Sequence, residues 1–250
     1  MLFIGICGAS GSGKSTLAEE LATMVNKSIL IINQDAYYKD HPDLSFEERC
    51  LLNYDEPSIF DHDQLLEDVQ NLLEGRRVSK KRYDYSHHCR ADVPGEYLEP
   101  HDVIIVEGIH ALNDMITNAH PEAFKLYISA RSDVLFGDRV VFKRTWFRLV
   151  RRMVRDYNFR GSSAAETMSM WANVRRGEKL YISPYKNKAD YQFDTALPYE
   201  LPVFNETATQ LFQSVPEGIE RFDELRQVLP ALQLFGVIDQ SLIPKEAMIR

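Results

Sequence analysis

The residues best suited to chemistry form a glycine-rich segment near the amino terminus. Residues 8–15 have the sequence GASGSGKS, which satisfies the pattern G-x-x-x-x-G-K-[ST] at every fixed position. Glycines let a backbone fold tightly around a polyphosphate, and the N–H groups that begin the following helix point towards negative charge. Lys14 would reach the β- and γ-phosphates, and the Ser15 hydroxyl would coordinate Mg²⁺. We therefore predict a nucleoside triphosphate site with the contacts Gly8, Ala9, Ser10, Gly11, Ser12, Gly13, Lys14, Ser15 and Thr16.

Two carboxylates follow apolar stretches that are typical of buried parallel strands. Asp35 comes shortly after 28–32, and Glu107 comes directly after 103–106. Ligands of doubly wound sheets bind at the carboxyl edge of the strands, so both side chains are expected near the phosphates. Asp35 is a candidate general base or metal partner, with a helix cap as the alternative. Glu107 is a candidate Mg²⁺ ligand, direct or through water, unless its carboxylate only organises the loop.

A basic stretch follows at 138–160, where arginines and apolar residues recur at helical spacing. Guanidinium groups on such a helix would neutralise the charge of a transferring phosphoryl group, which predicts a lid over the nucleotide. We expect Arg152, Arg155 and Arg160 to face the phosphates and the other arginines to lie at the surface. A solvated basic face and a nucleic-acid stripe are the alternatives. One helix face is expected to carry Phe142, Trp146, Leu149 or Val150, Met153 and Tyr157, and the other Arg144, Arg148, Arg152 and Arg155, with Lys143 and Arg151 beside it.

Alternating strands and helices must position these residues. Hydrophobic periodicity predicts a helix from Thr16 and another over 65–73 that ends at Gly75. The segment 76–90 is expected to be exposed. Its adjacent His87, His88 and Cys89 lack a second ligand pair at zinc-site spacing, so substrate contact is favoured over metal binding there. Strands are predicted at 2–7, 28–32, 103–106, 124–128 and 191–195, and further helices from 205 onward.

Composition excludes several other classes of protein. With 250 residues the chain suits one α/β domain, and its formal net charge of −8 argues against nucleic acid or an anionic membrane as partner. No apolar stretch reaches the length of a membrane span, and the first residues lack the basic region and cleavage site of a signal peptide. Cys7, Cys50 and Cys89 are widely spaced, which predicts free thiols and a cytoplasmic location.

Seven motifs in order give the chain a family resemblance. They are GASGSGKST at 8–16, QDAYY at 34–38, NYDEPSIFD at 53–61, YDYSHHCR at 83–90, VIIVEGIHAL at 103–112, RRMVRDYNFRG at 151–161 and PYKNKAD at 184–190. With these motifs the chain resembles the uridine kinase family, within the wider uridine kinase and phosphoribulokinase group of P-loop kinases. The resemblance implies an α/β three-layer sandwich with a five-stranded parallel sheet, a helical lid at about 138–178 and a C-terminal helical extension at about 203–250, all within a single domain 1–250.

The resemblance also implies an activity and assigns residue roles. It implies ATP, Mg²⁺ and phosphorylation of a sugar hydroxyl, typically the 5′-OH of a nucleoside, by a protein that self-associates in many relatives. Asp35 would accept the proton of the attacking hydroxyl, and Asp55 would hold the ribose hydroxyls. Tyr83 and His88 would contact the base. The full expected acceptor-binding set is Asp35, Tyr38, Asp55, Tyr83, Tyr85, His88 and Arg152, and Lys186 is expected to contact the nucleotide.

Two departures from the family pattern leave the acceptor open. Residues 160–163 are Arg-Gly-Ser-Ser, whereas such nucleoside kinases usually have R-G-R-D, and Met170 stands where a glutamine is usual. Both family residues normally lie near the base. The alternatives are therefore a kinase of a non-nucleoside alcohol, such as ribulose phosphate or pantothenate, and a nucleotide-binding regulatory module without acceptor chemistry.

Overall fold

The computed structural model describes residues 2–50, 52–85 and 87–243. These residues form two compact units. Unit 1 comprises residues up to Ala9, Lys14–Ile128 and Gly177–Phe193, and unit 2 comprises Ser10–Gly13, Ser129–Arg176 and the chain from Asp194. The single domain expected for 1–250 stays a prediction, and residues 244–250 of the expected C-terminal extension lie outside the described part.

Unit 1 contains most of a five-stranded sheet with the strand order β2-β5-β1-β6-β9. Every residue of β5 is buried, and alternate strand residues pack into two separate cores, one with Phe3 and Ile104 and one with Ile6 and Ile105. Two apolar faces require cover on both sides, so the predicted three-layer sandwich is confirmed. The strands are β1 (Leu2–Cys7), β2 (Ile29–Asn33), β5 (Val103–Gly108), β6 (Phe124–Ser129) and β9 (Tyr191–Asp194).

Two helices of unit 1, those that begin at Lys14 and at His62, follow the predicted periodicity, but its hairpin was not predicted. The segment expected to be merely exposed forms two antiparallel strands, β3 (Val78–Asp84) and β4 (Cys89–Leu98), which bury the Tyr83 side chain. The expectation for this segment was wrong because charged residues obscure its alternation: Lys80 and Arg82 are exposed, whereas Lys81 is nearly buried and pairs with Asp68 at 2.6 Å. The helices are α1 (Lys14–Met24), α2 (Phe46–Cys50), α3 (His62–Leu73) and α4 (Asp114–Ala119).

Unit 2 is a helical body with its own core, built around the buried Trp171 and Phe147. The helix expected from 138 begins only at Arg144, because residues 134–142 form a short hairpin that turns at Gly137, where φ is +58°. Phe142 therefore lies in a strand, and Tyr157, expected on the apolar face, is 55 % exposed. The elements are β7 (Val134–Phe136), β8 (Arg139–Phe142), α5 (Arg144–Arg160), α6 (Ala164–Gly177), α7 (Glu200–Gln213) and α8 (Phe222–Leu232).

The structure bears on two further expectations, the free cysteines and the lack of a membrane-spanning segment. Cys7 is a buried free thiol whose pKa burial raises to about 11, and Cys89 is also free, whereas the Cys50 side chain lies outside the described set. Among the described helices, none combines the length and apolarity that crossing a membrane requires.

Candidate active site

The glycine-rich segment is the loop between β1, which ends at Cys7, and α1, which begins at Lys14. Gly11 and Gly13 have φ values of +76° and +92°, which residues with a Cβ rarely adopt. A Cβ on Gly11 would also lie 3.4 Å from the Arg148 carbonyl oxygen. The loop therefore has the tight backbone that a phosphate cradle requires.

The candidate metal ligands meet in unit 1. The Ser15 hydroxyl donates to Glu107 Oε1 at 2.8 Å, and the parallel register places Glu107 opposite Asn33 of β2. Glu107 is only 2 % exposed, and burial raises the pKa of its carboxyl; the nearby Asp35 raises it further and Lys14 opposes the shift. A hydroxyl and a carboxylate are the hard oxygen donors that Mg²⁺ prefers, and a cation would compensate the buried charge. The pair fits a magnesium site.

Asp35 lies in a 3₁₀ turn, Gln34–Tyr37, that directly follows β2. The cap of this turn is Asn33, whose side chain accepts from the Asp35 N–H at 2.7 Å, so the helix-cap alternative for Asp35 does not describe the structure. The Asp35 carboxylate instead accepts the Tyr85 hydroxyl at 2.5 Å. Asp35 is partly exposed. A held, solvent-accessible carboxylate is what a general base requires.

The expected base-binding residues form an aromatic cluster around Tyr54, which sequence analysis missed. The Tyr83 hydroxyl donates to the Tyr54 oxygen at 3.0 Å, and His88 Nδ1 lies 2.9 Å from the same oxygen. Tyr38 packs on both rings, at 4.9 Å from Tyr83 and 5.2 Å from Tyr54, and its hydroxyl donates to the Tyr54 carbonyl. Burial, and then Arg49, lower the pKa of His88. The cluster thus offers flat, uncharged rings, and Tyr54 precedes Asp55 in the motif that gave Asp55 its role.

Asp55 is held through its backbone and packs closely on Gly177. His110 Nε2 donates to the Asp55 carbonyl at 3.0 Å, and Asn53 Oδ1 accepts from the Asp55 N–H at 3.2 Å. A Cβ on Gly177 would lie 2.5 Å from the Asp55 Cβ. His110 is fully buried, and burial lowers its pKa to about 3. Sequence analysis did not single out His110, although it lies in the motif that contains Glu107.

In unit 2 the arginines of α5 surround the tip of the phosphate loop. Arg152 Nη1 and Arg155 Nη1 each donate to Ser10 Oγ at 3.1 Å. Arg148 Nε donates to the Ser10 carbonyl at 2.9 Å. Arg148 and Arg151 are only 2 % and 8 % exposed, so the expectation that they lie at the surface was wrong. The Ser10 carbonyl accepts from Arg148, and the buried Glu200 carboxylate pairs with Arg151 at 2.7 Å, so both buried guanidinium groups have acceptors close by.

Asp156 connects the three arginines chosen from the sequence, and sequence analysis missed it. This buried carboxylate contacts Arg155 Nη2 at 2.6 Å, Arg152 Nε at 3.3 Å and Arg160 Nε at 3.8 Å. Arg152 and Arg160 stand four residues to either side of Asp156, a helical spacing that could have revealed the arrangement. One acidic residue therefore fixes the orientation of the arginine set.

Three further positions from the sequence analysis are Lys186 and the two departures from the family pattern, Ser162 and Met170. Lys186 is half-buried in a 3₁₀ segment of unit 1, Ser183–Lys188, where its carbonyl accepts from Gln192 Nε2 at 3.1 Å. Ser162, in place of the usual arginine, donates its N–H to the Asp156 carbonyl at 3.1 Å. Met170 is 40 % exposed.

Comparison with known proteins decides the family. The model of the Phosphoribulokinase / Uridine kinase family matches residues 3–199. The chain belongs to this family. A uridine kinase of Halalkalibacterium halodurans is 39 % identical over 191 residues, which cover 76 % of this chain and 83 % of that protein. A uridine kinase of Brevibacillus brevis is 40 % identical over 192 residues, which cover 76 % and 82 %.

One solved structure agrees on the fold. A protein of Silicibacter sp. TM1040, described as a candidate fructose transport system kinase, matches with a TM-score of 0.51 over 77 % of this chain and 89 % of that one. At 18 % identity this likeness shows the fold alone. The family membership confirms the predicted resemblance, and with it a nucleotide-using phosphotransferase that acts on an alcohol acceptor.

Proposed function

We propose that this family member transfers the γ-phosphoryl group of ATP to the 5′-OH of a nucleoside such as uridine or cytidine. The observation that carries the proposal is the placement of two carboxylates in the sheet whose β1 leads into the phosphate loop: Asp35 follows β2, and Glu107, which accepts from Ser15, lies near the end of β5. The names of the relatives, which are uridine kinases at 39 % and 40 % identity, support a nucleoside acceptor.

On the phosphate side, the proposed site binds the phosphates and neutralises their charge with cationic side chains and backbone N–H groups. Lys14 and the loop N–H groups would bind the β- and γ-phosphates, and Arg152 and Arg155, both bonded to Ser10 Oγ, would neutralise charge on the transferring group. Arg160 would assist through the Asp156 carboxylate that they share. Ser15 and Glu107 would hold Mg²⁺, which supplies further charge neutralisation when bound.

On the acceptor side, Asp35 would orient the hydroxyl and take its proton as the oxygen attacks in line. Asp55 would hold the ribose hydroxyls, and Tyr83 and His88 would contact the nucleobase. Tyr85 would hold the Asp35 carboxylate on the acceptor side of the site. The aromatic cluster supports this assignment because flat uncharged rings suit stacking against a nucleobase.

A coupled ADP-release screen tests the proposal. The acceptors are the common nucleosides, ribulose phosphate and pantothenate, each with ATP and Mg²⁺, and the product is identified by mass. We expect a nucleoside 5′-monophosphate. Because Ser162 and Met170 depart from the usual pattern, turnover of only ribulose phosphate or pantothenate would favour the non-nucleoside reading. Normal ATP binding with no turnover of any acceptor would indicate a regulatory module instead.

The Asp35→Asn variant tests the role of Asp35 as general base in the same assay. The amide cannot take a proton, so we expect kcat to fall by about 10³-fold while ATP affinity is kept. Asp40→Asn, at an exposed position nearby, is the matched control and should behave as the wild type. Wild-type turnover in Asp35→Asn would remove Asp35 from this role.

The wider expectations stay predictions. They are a cytoplasmic location, self-association and the absence of a nucleic-acid partner.

A further inference from the structure

A buried ion pair within unit 2 joins helix α7 to helix α5, which carries the arginines. Glu200, the first residue of α7, is fully buried. Its Oε2 accepts from Arg151 Nε at 2.7 Å and its Oε1 accepts from Arg151 Nη2 at 2.9 Å. Such a two-pronged pair fixes the plane of the guanidinium as well as its position.

The same guanidinium reaches the tip of the phosphate loop. Arg151 Nη1 donates to the Gly11 carbonyl at 3.4 Å and to Thr195 Oγ1 at 3.4 Å, and Nη2 also donates to the Thr195 carbonyl. Glu200 and Gly11 are thus the two ends of one chain of contacts. All of these residues belong to unit 2.

The orientation of the Gly11 carbonyl matters for phosphate binding because a peptide group is planar. The C=O of Gly11 and the N–H of Ser12 belong to one rigid unit and point in opposite directions. A donor that holds the Gly11 carbonyl therefore also sets the direction of the Ser12 N–H, which lies in the proposed phosphate cradle. Gly11 has little steric restraint of its own, since it has no Cβ and its φ of +76° lies in a region that glycine adopts readily.

Glu200 lies one residue beyond the part of the chain that the family model matches. The family model ends at residue 199, and the two uridine kinases cover 76 % of this chain. Helices α7 and α8 therefore lie outside the matched residues; we call this part, from Glu200 onward, the extension. At Glu200 the extension contacts helix α5 through a buried charge.

We propose that Glu200 is a positioning residue for the nucleotide: through Arg151 it holds the Gly11–Ser12 peptide, so that the extension sets the affinity for the ATP phosphates. The inference rests on the proposed function. Without the carboxylate, the buried guanidinium keeps its charge and must draw on its remaining acceptors, the Gly11 and Thr195 carbonyls. That shift would tilt the loop peptide away from the phosphate.

The Glu200→Gln variant tests the proposal in the full-length protein. We expect the Kd and the KM for ATP to rise about tenfold while the KM for the acceptor stays within about twofold, because only the phosphate side is disturbed. Glu224→Gln is the matched control. Glu224 also lies in the extension, where its Oε2 accepts from Trp171 Nε1 at 3.1 Å, and its variant should bind ATP as the wild type does.

A double variant separates positioning from simple stabilisation. Arg151→Met with Glu200→Met removes both charges, so it avoids an uncompensated buried ion and should recover much of the thermal stability that Glu200→Gln loses. Under the proposal its ATP affinity stays low, because the Gly11 carbonyl still lacks its donor. Recovery of wild-type ATP affinity together with stability would overturn the proposal.

A failure of this inference can be distinguished from a failure of the proposed function. If the wild-type protein does not bind ATP with Mg²⁺, the proposed function itself fails. If the wild type binds ATP and Glu200→Gln binds it equally well, only the positioning role of Glu200 is wrong.

Discussion

The Tyr85 hydroxyl donates to Asp35 Oδ2 at 2.5 Å, although the two residues are 50 positions apart in the chain. The β3–β4 hairpin carries Tyr85, and the turn after β2 carries Asp35. One oxygen of the proposed general base is therefore held by a phenol. This contact leaves Oδ1 as the oxygen that can face an acceptor hydroxyl.

Removal of the phenol hydroxyl is expected to impair the chemical step. In Tyr85→Phe the Asp35 carboxylate can rotate, so we expect kcat to fall by about tenfold while the KM for ATP stays unchanged. Steady-state kinetics with each substrate varied in turn measure both effects. Tyr97→Phe, at an exposed tyrosine of the same hairpin, is the control. An unchanged kcat would show that Tyr85 does not orient Asp35, the proposed general base.

Gly177 offers a way to disturb the acceptor side alone. In Gly177→Ala the new Cβ would lie 2.5 Å from the Asp55 Cβ and 3.0 Å from its Oδ2, so the Asp55 side chain must move. We expect the KM for the acceptor to rise about tenfold with little change in the KM for ATP. Gly236→Ala is the matched control, because a Cβ there would meet no described atom within 4 Å. An unaltered acceptor KM would contradict the proposed role of Asp55.

Because His110 is buried, we expect the folded protein to lose stability in acid. Burial, with a contribution from His62, lowers the pKa of His110 from 6.5 to about 3 in the folded protein. Between these two pH values the unfolded chain binds a proton that the folded chain excludes. The free energy of unfolding should therefore be highest above pH 6.5 and fall as the pH decreases towards 3, by at most about 1.4 kcal/mol per pH unit for this one group.

Urea unfolding at a series of pH values measures this dependence. The His110→Gln variant keeps a donor for the Asp55 carbonyl but does not titrate, so its stability should decline less steeply below pH 6.5. His101→Gln, at a histidine outside the core, should follow the wild type. Parallel curves for wild type and His110→Gln would show that His110 does not account for the acid sensitivity.

The sequence by itself determined the phosphate loop, the strands before it and beside it, and the two carboxylates at their ends. The glycine-rich motif can be recognised locally, since the glycines that permit its tight backbone lie within the motif, although Arg148 and Arg151 bond to its carbonyls from elsewhere in the chain. Parallel strands bring their carboxyl ends to one edge, so Asp35 and Glu107 could be expected there without knowledge of the register.

Helical periodicity in α5 gave the helix but not the environment of its arginines. The pattern shows which residues share a face, yet it contains no information about what packs against that face. Arg148 and Arg151 therefore look like surface residues in the sequence and are buried in the structure.

Only the tertiary structure decided which side chains hold the site together. Tyr85 with Asp35, His110 with Asp55 and Arg151 with Glu200 are pairs separated by 49 to 55 positions. Each depends on where separate elements pack, and the cost of a buried charge or an unpaired polar group fixes such pairs only once the chain has folded around them. Local sequence patterns set the chemistry that is available, and long-range packing determines which groups are held ready for it.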